Sequence, residues 1–526
     1  MSPRGRLLFG WLVPLLTTLD VCLVASDQPK LGRLLGQEPD KPSADWWVWL
    51  GGLRGWSPPN GFFTWEASWS WTFITHRAPL SIWVAFFAIG AMAAFEVLAI
   101  DRWDRARRSP FKVALGLGSL ILAGWALQNV ALALRGGNPF QTAADLVQNP
   151  GFGGYLTCAE HLPRWDEMFS SYVRVVGYHP EAGHCDTHPP GAVMMFWLLM
   201  HLVTALPANM MLGLKAFLET RLLVVPRFTG QPIYVADFLA ATLGAQLILL
   251  WTASLPVPCF FLARRLAGRD PALRLAAFGL LIPSVLLMSP TLDQALAPIS
   301  AWILVFLFEG LETNPVFFGV LAGLSDAAGL FFSYAFWVLI FPIPAILTTW
   351  AMIAYPREGK VALRRAALTA AAAALSAATT WLGLWLLARF DLPSSLHTAA
   401  ETLAIFNHKR PYRVWVLLNM VDFIQHLGLP LACVTVLGLA GPAVGGERGA
   451  RGYAWLFWTF IVALDLTGWN RGEVARLWIF LMPLCLVALY QLVGTLRLRG
   501  PQLAGLAGAQ FVICGTMAGF WRNFSP

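Results

Sequence analysis

Five short stretches hold most of the residues able to do acid–base or anion chemistry. In "RWDEMFSSYVRVVGYHPEAGHCDTHPPG" the tandem acids Asp166 and Glu167 stand upstream of Asp186 and His188. Asp145 in "TAADLVQNP" and Asp293 in "MSPTLDQALAP" add two further acids. The stretch "NHKRPYRVW" groups His408, Lys409, Arg410 and Arg413, and "NRGEVARLW" groups Arg471, Glu473 and Arg476. Carboxylates of this kind can take the proton of a hydroxyl nucleophile. Guanidinium groups match the oxygens of a phosphate in two-point contacts. Together they suit transfer of a group from a phosphate carrier to a hydroxyl acceptor.

The local sequence indicates how some of these groups are held. Pro189 and Pro190 fix φ and disfavour helix at the residue before them, so a helix starts sharply at "GAVMMFW". Asp186 and His188 then sit at a helix N-terminus, where outward N–H groups favour anions. Asp293 precedes an apolar run and reads both as a helix-start signal and as a site acid. Each candidate also has a plainer reading: Asp166 as a solvated loop acid, Arg410 and Arg413 as snorkelling headgroup contacts. Arg476 opens an apolar run three residues after Glu473, which places that pair in a helix bundle where charge is costly and usually functional. Asp326, inside the apolar run "GLSDAAGLFF", has no role assigned to it.

The elements that must carry these residues are membrane helices. Hydrophobic residues fill 57% of the 526 positions and charged ones 13%, with a mean hydropathy of +0.60. A water-soluble chain of that composition lacks the polar residues to cover its surface. The expected fold is all-α, a polytopic integral membrane protein of about thirteen spans. The spans fall near 7–25, 81–100, 112–134, 236–263, 272–288, 294–309, 315–332, 335–354, 366–388, 425–441, 453–469, 476–493 and 503–520. Basic clusters at Arg4 and Arg6, Arg102 to Lys112, Arg264 to Arg274, Arg357 to Arg365, Arg448 to Arg451, and Arg497 with Arg499 mark the cytoplasmic side, N-terminus included. This fit requires the apolar residues 190–206 to lie in or dip into the outer interface without crossing. The segments 135–237, 289–298, 388–427 and 468–476 are then extracytoplasmic, and they hold the chemistry-bearing residues. The stretch "ADWWVWLGGLRGWSPPNGFFTWEASWSW" carries seven of the 25 tryptophans and reads as an aromatic belt at the headgroups.

The net charge of +8 sits in loop clusters of the topogenic kind, which argues against nucleic acid as a partner. No Walker or dinucleotide fingerprint occurs, which argues against ATP-driven transport. Cys158 and Cys185 alone among seven cysteines fall in the large outer loop, so a disulfide between them is expected in an oxidising compartment. A zinc site built from them with His161, His179, His184 and His188 lacks a tight ligand spacing. A divalent metal therefore has no support from spacing.

The pair "DEMFSSY" and "DTHPPG" resembles the first luminal loop of protein O-mannosyltransferases and related lipid-linked-sugar transferases of the GT-C superfamily. There an Asp-Glu pair precedes Asp-x-His-Pro-Pro-Leu. The form "THPPG", with "SPTLDQAL" and "RGEVARLW", resembles bacterial GT-C-like membrane proteins more closely. The resemblance spans roughly residues 112–493 in the order of its parts. It departs from the pattern in Gly191 for Leu, in one extra residue between the motifs, and in two added N-terminal helices. It implies three regions: residues 1–111 with two helices, a GT-C-like core over 112–493 with its large loop at 135–237, and a last helix in 494–526. It also implies a glycosyltransferase of a bacterial plasma membrane with a polyprenyl-phosphate sugar as donor and a glycan, lipid or protein as acceptor. The base would be Asp166, then Glu167, with Asp145 and Asp186 in reserve, and Asp293 would help organise the site. The rival reading is a transporter or flippase, which predicts charges at mid-bilayer, not at the outer ends of helices. A non-catalytic scaffold that binds lipid-linked sugar is a third.

Overall fold

The computed structural model describes residues 15, 17, 80–103, 109–148, 154–160, 167–170, 172, 185, 187–218, 235–408, 410–440, 448–496 and 500–520. The expected first span at 7–25 and the tryptophan-rich belt therefore lie outside the described residues, apart from Leu15 and Thr17.

Among the described residues every regular element is a helix. In chain order they are α1 (Leu80–Trp103), α2 (Pro110–Gly136), α3 (Pro139–Gln148), α4 (Tyr155–Glu160), the single turn α5 (Glu167–Ser170), α6 (Gly191–Thr204) and α7 (Ala208–Leu218). Then come α8 (Val235–Ala253), α9 (Pro256–Leu266), α10 (Ala272–Ala276), α11 (Pro283–Leu287), α12 (Leu292–Glu312), α13 (Pro315–Phe332), α14 (Pro342–Glu358) and α15 (Lys360–Ala388). The last are α16 (Leu392–His408), α17 (Tyr412–Leu427), α18 (Leu429–Ala440), α19 (Arg448–Leu466), α20 (Val474–Leu477), α21 (Met482–Leu496) and α22 (Gly500–Phe520). Seven helical segments among the described residues are long and apolar enough to cross a bilayer, or nine if each of two sharply bent pairs is one span. Outward-facing side chains such as Leu387, Phe217 and Phe95 are large and apolar, as lipid contact requires. The chain is an all-α polytopic integral membrane protein.

Three expected elements differ in detail. Residues 272–288 do not form one span: α10 gives way to a 3-10 turn at Ala277–Gly279, and Pro283 restarts the chain as α11. Pro283 has no N–H to donate and so begins a helix more readily than it continues one. The expected outer loop 388–427 is largely helical, as α16 and α17. The expected span 425–441 is the second arm of a bent pair, in which α17 and α18 meet at 107°. Gly428, at φ 92°, makes that corner, and a Cβ there would lie 2.3 Å from the amide of Gln510. The apolar residues after Pro190 likewise form a bent pair, α6 and α7, at 116°.

Small residues let these helices approach. Gly319 and Gly323, four apart on α13, face α15, and a Cβ on Gly323 would stand 2.0 Å from the Ala373 carbonyl oxygen. The Ser376 hydroxyl donates across the same seam to the Val320 carbonyl at 3.1 Å. Close backbone contact and interhelical hydrogen bonds are what hold helices together where lipid is as apolar as the helix surface.

Among the described residues two hydrophobic cores result. The larger is built from α9 to α15 and α17 to α22, joined by parts of α1 and α2. The smaller gathers α3, α4, α6 and α8 around Tyr172, Cys185, Phe196 and Phe390. They meet at the start of α12, where Leu292 and Ala295 belong to the smaller core, and Leu296 and Ala297 to the larger. A buried polar network fixes that point. Gln128 of α2 donates to the Leu249 carbonyl at 3.0 Å, and its own carbonyl accepts from Gln294 at 2.7 Å and Ser289 at 3.2 Å. Trp251 donates to the Ala295 carbonyl at 2.9 Å, and Arg135 to the Ser289 carbonyl at 3.2 Å. Buried polar groups persist in a membrane interior only when they find such partners. The consequence is a first turn of α12 held from α2, α8 and the segment before it.

Candidate functional site

That held turn carries Asp293, on which the site is built. Its Oδ2 lies 3.3 Å from Arg476 Nε, and Arg476 Nη2 lies 2.9 Å from Glu473 Oε2. The other oxygen of Glu473 accepts from Arg410 Nη2 at 2.8 Å. Carboxylates and guanidiniums therefore alternate along one chain, Asp293, Arg476, Glu473, Arg410, and all four side chains are nearly enclosed. Partly removed from water, each charge depends on its neighbours for solvation. Asp293 Oδ1 is buried without a hydrogen-bond partner among the described residues, and so is the hydroxyl of Thr291 two positions earlier.

Arg471 does something different. Its guanidinium donates to the carbonyls of Gly468 at 3.2 Å, Asn407 at 3.0 Å and Arg410 at 3.0 Å, and it stacks over Tyr412 with 5.6 Å to the ring centroid. It clips the corner between α16 and α17 to the loop before α20. Arg410 returns the contact by donating to the Arg471 carbonyl. His408 and Arg413 are exposed and make no hydrogen bond or ion pair among the described residues, so neither joins the cluster.

The loop 468–476 is held from below by a polar stripe on α17. Asn419 donates to Asp465 at 2.9 Å and to the Asn470 carbonyl at 2.8 Å, and accepts from the Gly472 N–H at 2.9 Å. Asp422 accepts from the Ala475 N–H at 3.0 Å. Asn419, Asp422 and His426 follow one another at intervals of three and four on α17, a spacing that puts them on one face. That spacing was the available signal for Asn419 and Asp422, which sequence reasoning missed. Glu473 occupies the left-handed region at φ 58°, ψ 21°, a conformation that a residue other than glycine adopts at some cost.

From the other side the site is closed by α4 and the turn before α6. His188 is buried; its N–H donates to the Cys185 carbonyl at 3.2 Å, and its carbonyl accepts from the Tyr172 hydroxyl at 3.0 Å. Its ring meets Tyr155 edge-on at 5.2 Å. Burial pushes the Tyr155 phenol well above its ordinary pKa, the Asp293 carboxylate adds to the effect, and Arg476 opposes it. Tyr155 therefore stands as a neutral phenol within electrostatic reach of the charged chain, and no feature of "GFGGYLTC" announced it. Together with Thr291, Leu292 and Phe196 it encloses a small cavity. Cys158 and Cys185 form a disulfide that ties α4 to the turn bearing His188. Both thiols are thereby withdrawn from any zinc set. Among the described residues no group of three His, Cys, Asp or Glu side chains is arranged to hold a metal ion.

Gly191, where the resembling family has Leu, has a steric reason. A Cβ there would lie 2.3 Å from the Phe331 carbonyl oxygen at the end of α13, so only glycine lets the helix start against that strand of backbone. Asp145 lies on α3 and accepts from Gln141 at 2.8 Å; its neighbours Leu146 and Val147 line the small cavity. Asp166, Asp186 and Lys409 fall outside the described residues, as do His161, His179 and His184, and Glu167 opens α5.

Beside the cluster runs an apolar groove of about 600 Å³ between α6, α8, α12 and α13, lined by Met195, Trp251, Leu292, Ile299, Trp302 and Phe332. Leu292 lines both the groove and the small cavity and precedes Asp293. Charged chain and greasy groove thus meet at one helix end.

No protein-family model matches the chain. No curated protein matches it by sequence. Among solved structures it is similar to the oligosaccharyltransferase of Archaeoglobus fulgidus, crystallised in complex with zinc and sulfate, with 12% sequence identity and a TM-score of 0.41. The match covers 77% of this chain and 54% of that one, so the chain spans about half the length of that protein.

Proposed function

We propose that this chain is a GT-C type glycosyltransferase that moves a sugar from a polyprenyl-phosphate donor to an acceptor hydroxyl at the outer face of the membrane. The observation that carries the reading is the alternating chain Asp293, Arg476, Glu473, Arg410 beside an apolar groove of about 600 Å³. A lipid-linked phosphate needs both: cations for its head and a greasy trough for its prenyl tail. The cluster includes Asp293 of "SPTLDQAL" and both Glu473 and Arg476 of "RGEVAR", stretches that carry the resemblance.

The reaction is an inverting displacement. The acceptor oxygen attacks the anomeric carbon while a carboxylate takes its proton, and the bond from that carbon to the phosphate oxygen breaks. Asp166 is the first candidate for that base, with Glu167, Asp145 and Asp186 after it. Asp293 orients Arg476, and its unpartnered Oδ1 is placed to accept a hydrogen bond from sugar or acceptor. Arg476 and Arg410 stabilise the phosphate that leaves. Arg471 shapes the loop, and His188 with Tyr155 forms the wall opposite.

A transporter remains the second reading because of one residue. Asp326 lies within α13, and its Oδ1 is buried without a hydrogen-bond partner among the described residues, as a coupling acid at membrane depth would be.

The test is sugar transfer from a panel of radiolabelled polyprenyl-phosphate sugars by purified protein in lipid, with Asp166→Asn, Asp186→Asn and Asp293→Asn alongside wild type. Loss of roughly 100-fold or more in one acid variant, with donor binding retained, is expected for the base. Neither turnover nor binding by well-folded wild type across donors and acceptors would overturn the enzyme reading in favour of transport.

A further inference from the structure

We propose that Glu473 is a displaceable internal anion: it occupies the place of the lipid phosphate and sets which phosphate the site accepts. The inference rests on the phosphate-binding reading above and adds a selection rule to it.

Three observations support it. First, charge is matched within the alternating chain: two guanidiniums, Arg410 and Arg476, face two carboxylates, Asp293 and Glu473. Secondly, Glu473 bridges both guanidiniums with its two oxygens, at 2.8 and 2.9 Å, which is the two-point geometry a phosphate would use. Thirdly, the arginines have other tethers. Arg410 donates to the Arg471 carbonyl, and Arg476 lies against Asp293, so both keep a partner if the Glu473 side chain swings out. The loop would also stay put, since Asn419 holds Gly472 and Asp422 holds Ala475 on either side of Glu473. The left-handed backbone of Glu473 fits a residue kept there for its position in the site.

Such a carboxylate discriminates by charge. A phosphodiester headgroup carries one negative charge and competes with Glu473 on even terms. A terminal phosphate carries nearly two at neutral pH and displaces it. A phosphodiester, whether a membrane lipid or the intact donor, is therefore held only weakly by the arginines, and the choice between those two falls to the apolar groove. In the transfer reaction the donor phosphate is a diester until its bond to the anomeric carbon breaks, and it gains its second charge as the bond electrons pass to the phosphate oxygen. Glu473 then yields to the developing dianion, so that arginine contact is strongest where charge appears and not in the ground state.

The experiment measures binding of a polyprenyl monophosphate and of phosphatidylglycerol to the full chain in phosphatidylcholine nanodiscs, for wild type, Glu473→Gln and Glu473→Asn. Asparagine tolerates the left-handed conformation and guards against a folding defect in the first variant. Wild type should prefer the monophosphate at least tenfold. Both variants should bind phosphatidylglycerol at least tenfold more tightly than wild type, shrinking the preference to threefold or less. If both folded variants bind the two lipids no more tightly than wild type does, Glu473 serves to position the arginines and the proposal fails, while the phosphate reading stands. If neither wild type nor the variants bind the monophosphate at all, both fail together.

Discussion

Arg476 touches both acids of the cluster, and its removal should be costly for structure as well as for turnover. Arg476→Gln leaves Asp293 and Glu473 buried without their shared cation, and breaking a buried pair in this way costs about 3–5 kcal/mol. We expect the loss in reversible denaturation of the detergent-solubilised protein, and a markedly smaller one for Arg471→Gln, whose partners are neutral carbonyls. At this scale the sequence was partly legible. Glu473 and Arg476 are three apart in a helix start, so their pairing follows from spacing alone. The bond from Arg476 to Asp293 does not, because it joins residues far apart in the chain and depends on how the helices pack. The different work of Arg471 was hidden for a related reason: a guanidinium that binds backbone carbonyls looks, in sequence, like one that binds phosphate.

Among the elements, α13 and α15 make the clearest case that packing decides what is tolerated. Gly323→Leu would drive a side chain into the Ala373 carbonyl and should cost about 1–3 kcal/mol or more. Gly383→Ala, on α15 itself but with nothing within 4 Å of a new Cβ, should be accepted without loss. Thermal unfolding of the two variants in one detergent checks the contrast. Hydropathy located most of these helices, since a run of apolar residues crosses lipid whatever its neighbours do. It did not locate the breaks within them. Pro283 and Gly428 mark these breaks in the sequence, but the hydropathy of the surrounding runs stays high enough to hide them.

Across the whole molecule the site stands where two cores meet, and the disulfide secures the smaller one. Closing a loop across 27 positions of sequence separation should stabilise the fold by roughly 3.5 kcal/mol on the chain-entropy account. Reduction, or Cys158→Ser with Cys185→Ser, should therefore lower the midpoint of thermal unfolding in lipid and lower transfer with it. The cysteine pair was readable from its placement in the single large polar loop. The edge-on contact of His188 with Tyr155 was not, since it depends on how α4 packs on α6 beside that disulfide.

The meeting of Asp293 with Arg476 has a consequence for biogenesis. The acid arrives with α12 and has no cation from Arg476 until the segment bearing α20 has followed it. Completion of this one ion pair thus separates a finished molecule from a nascent one, since the two halves of the pair lie on segments made far apart in time.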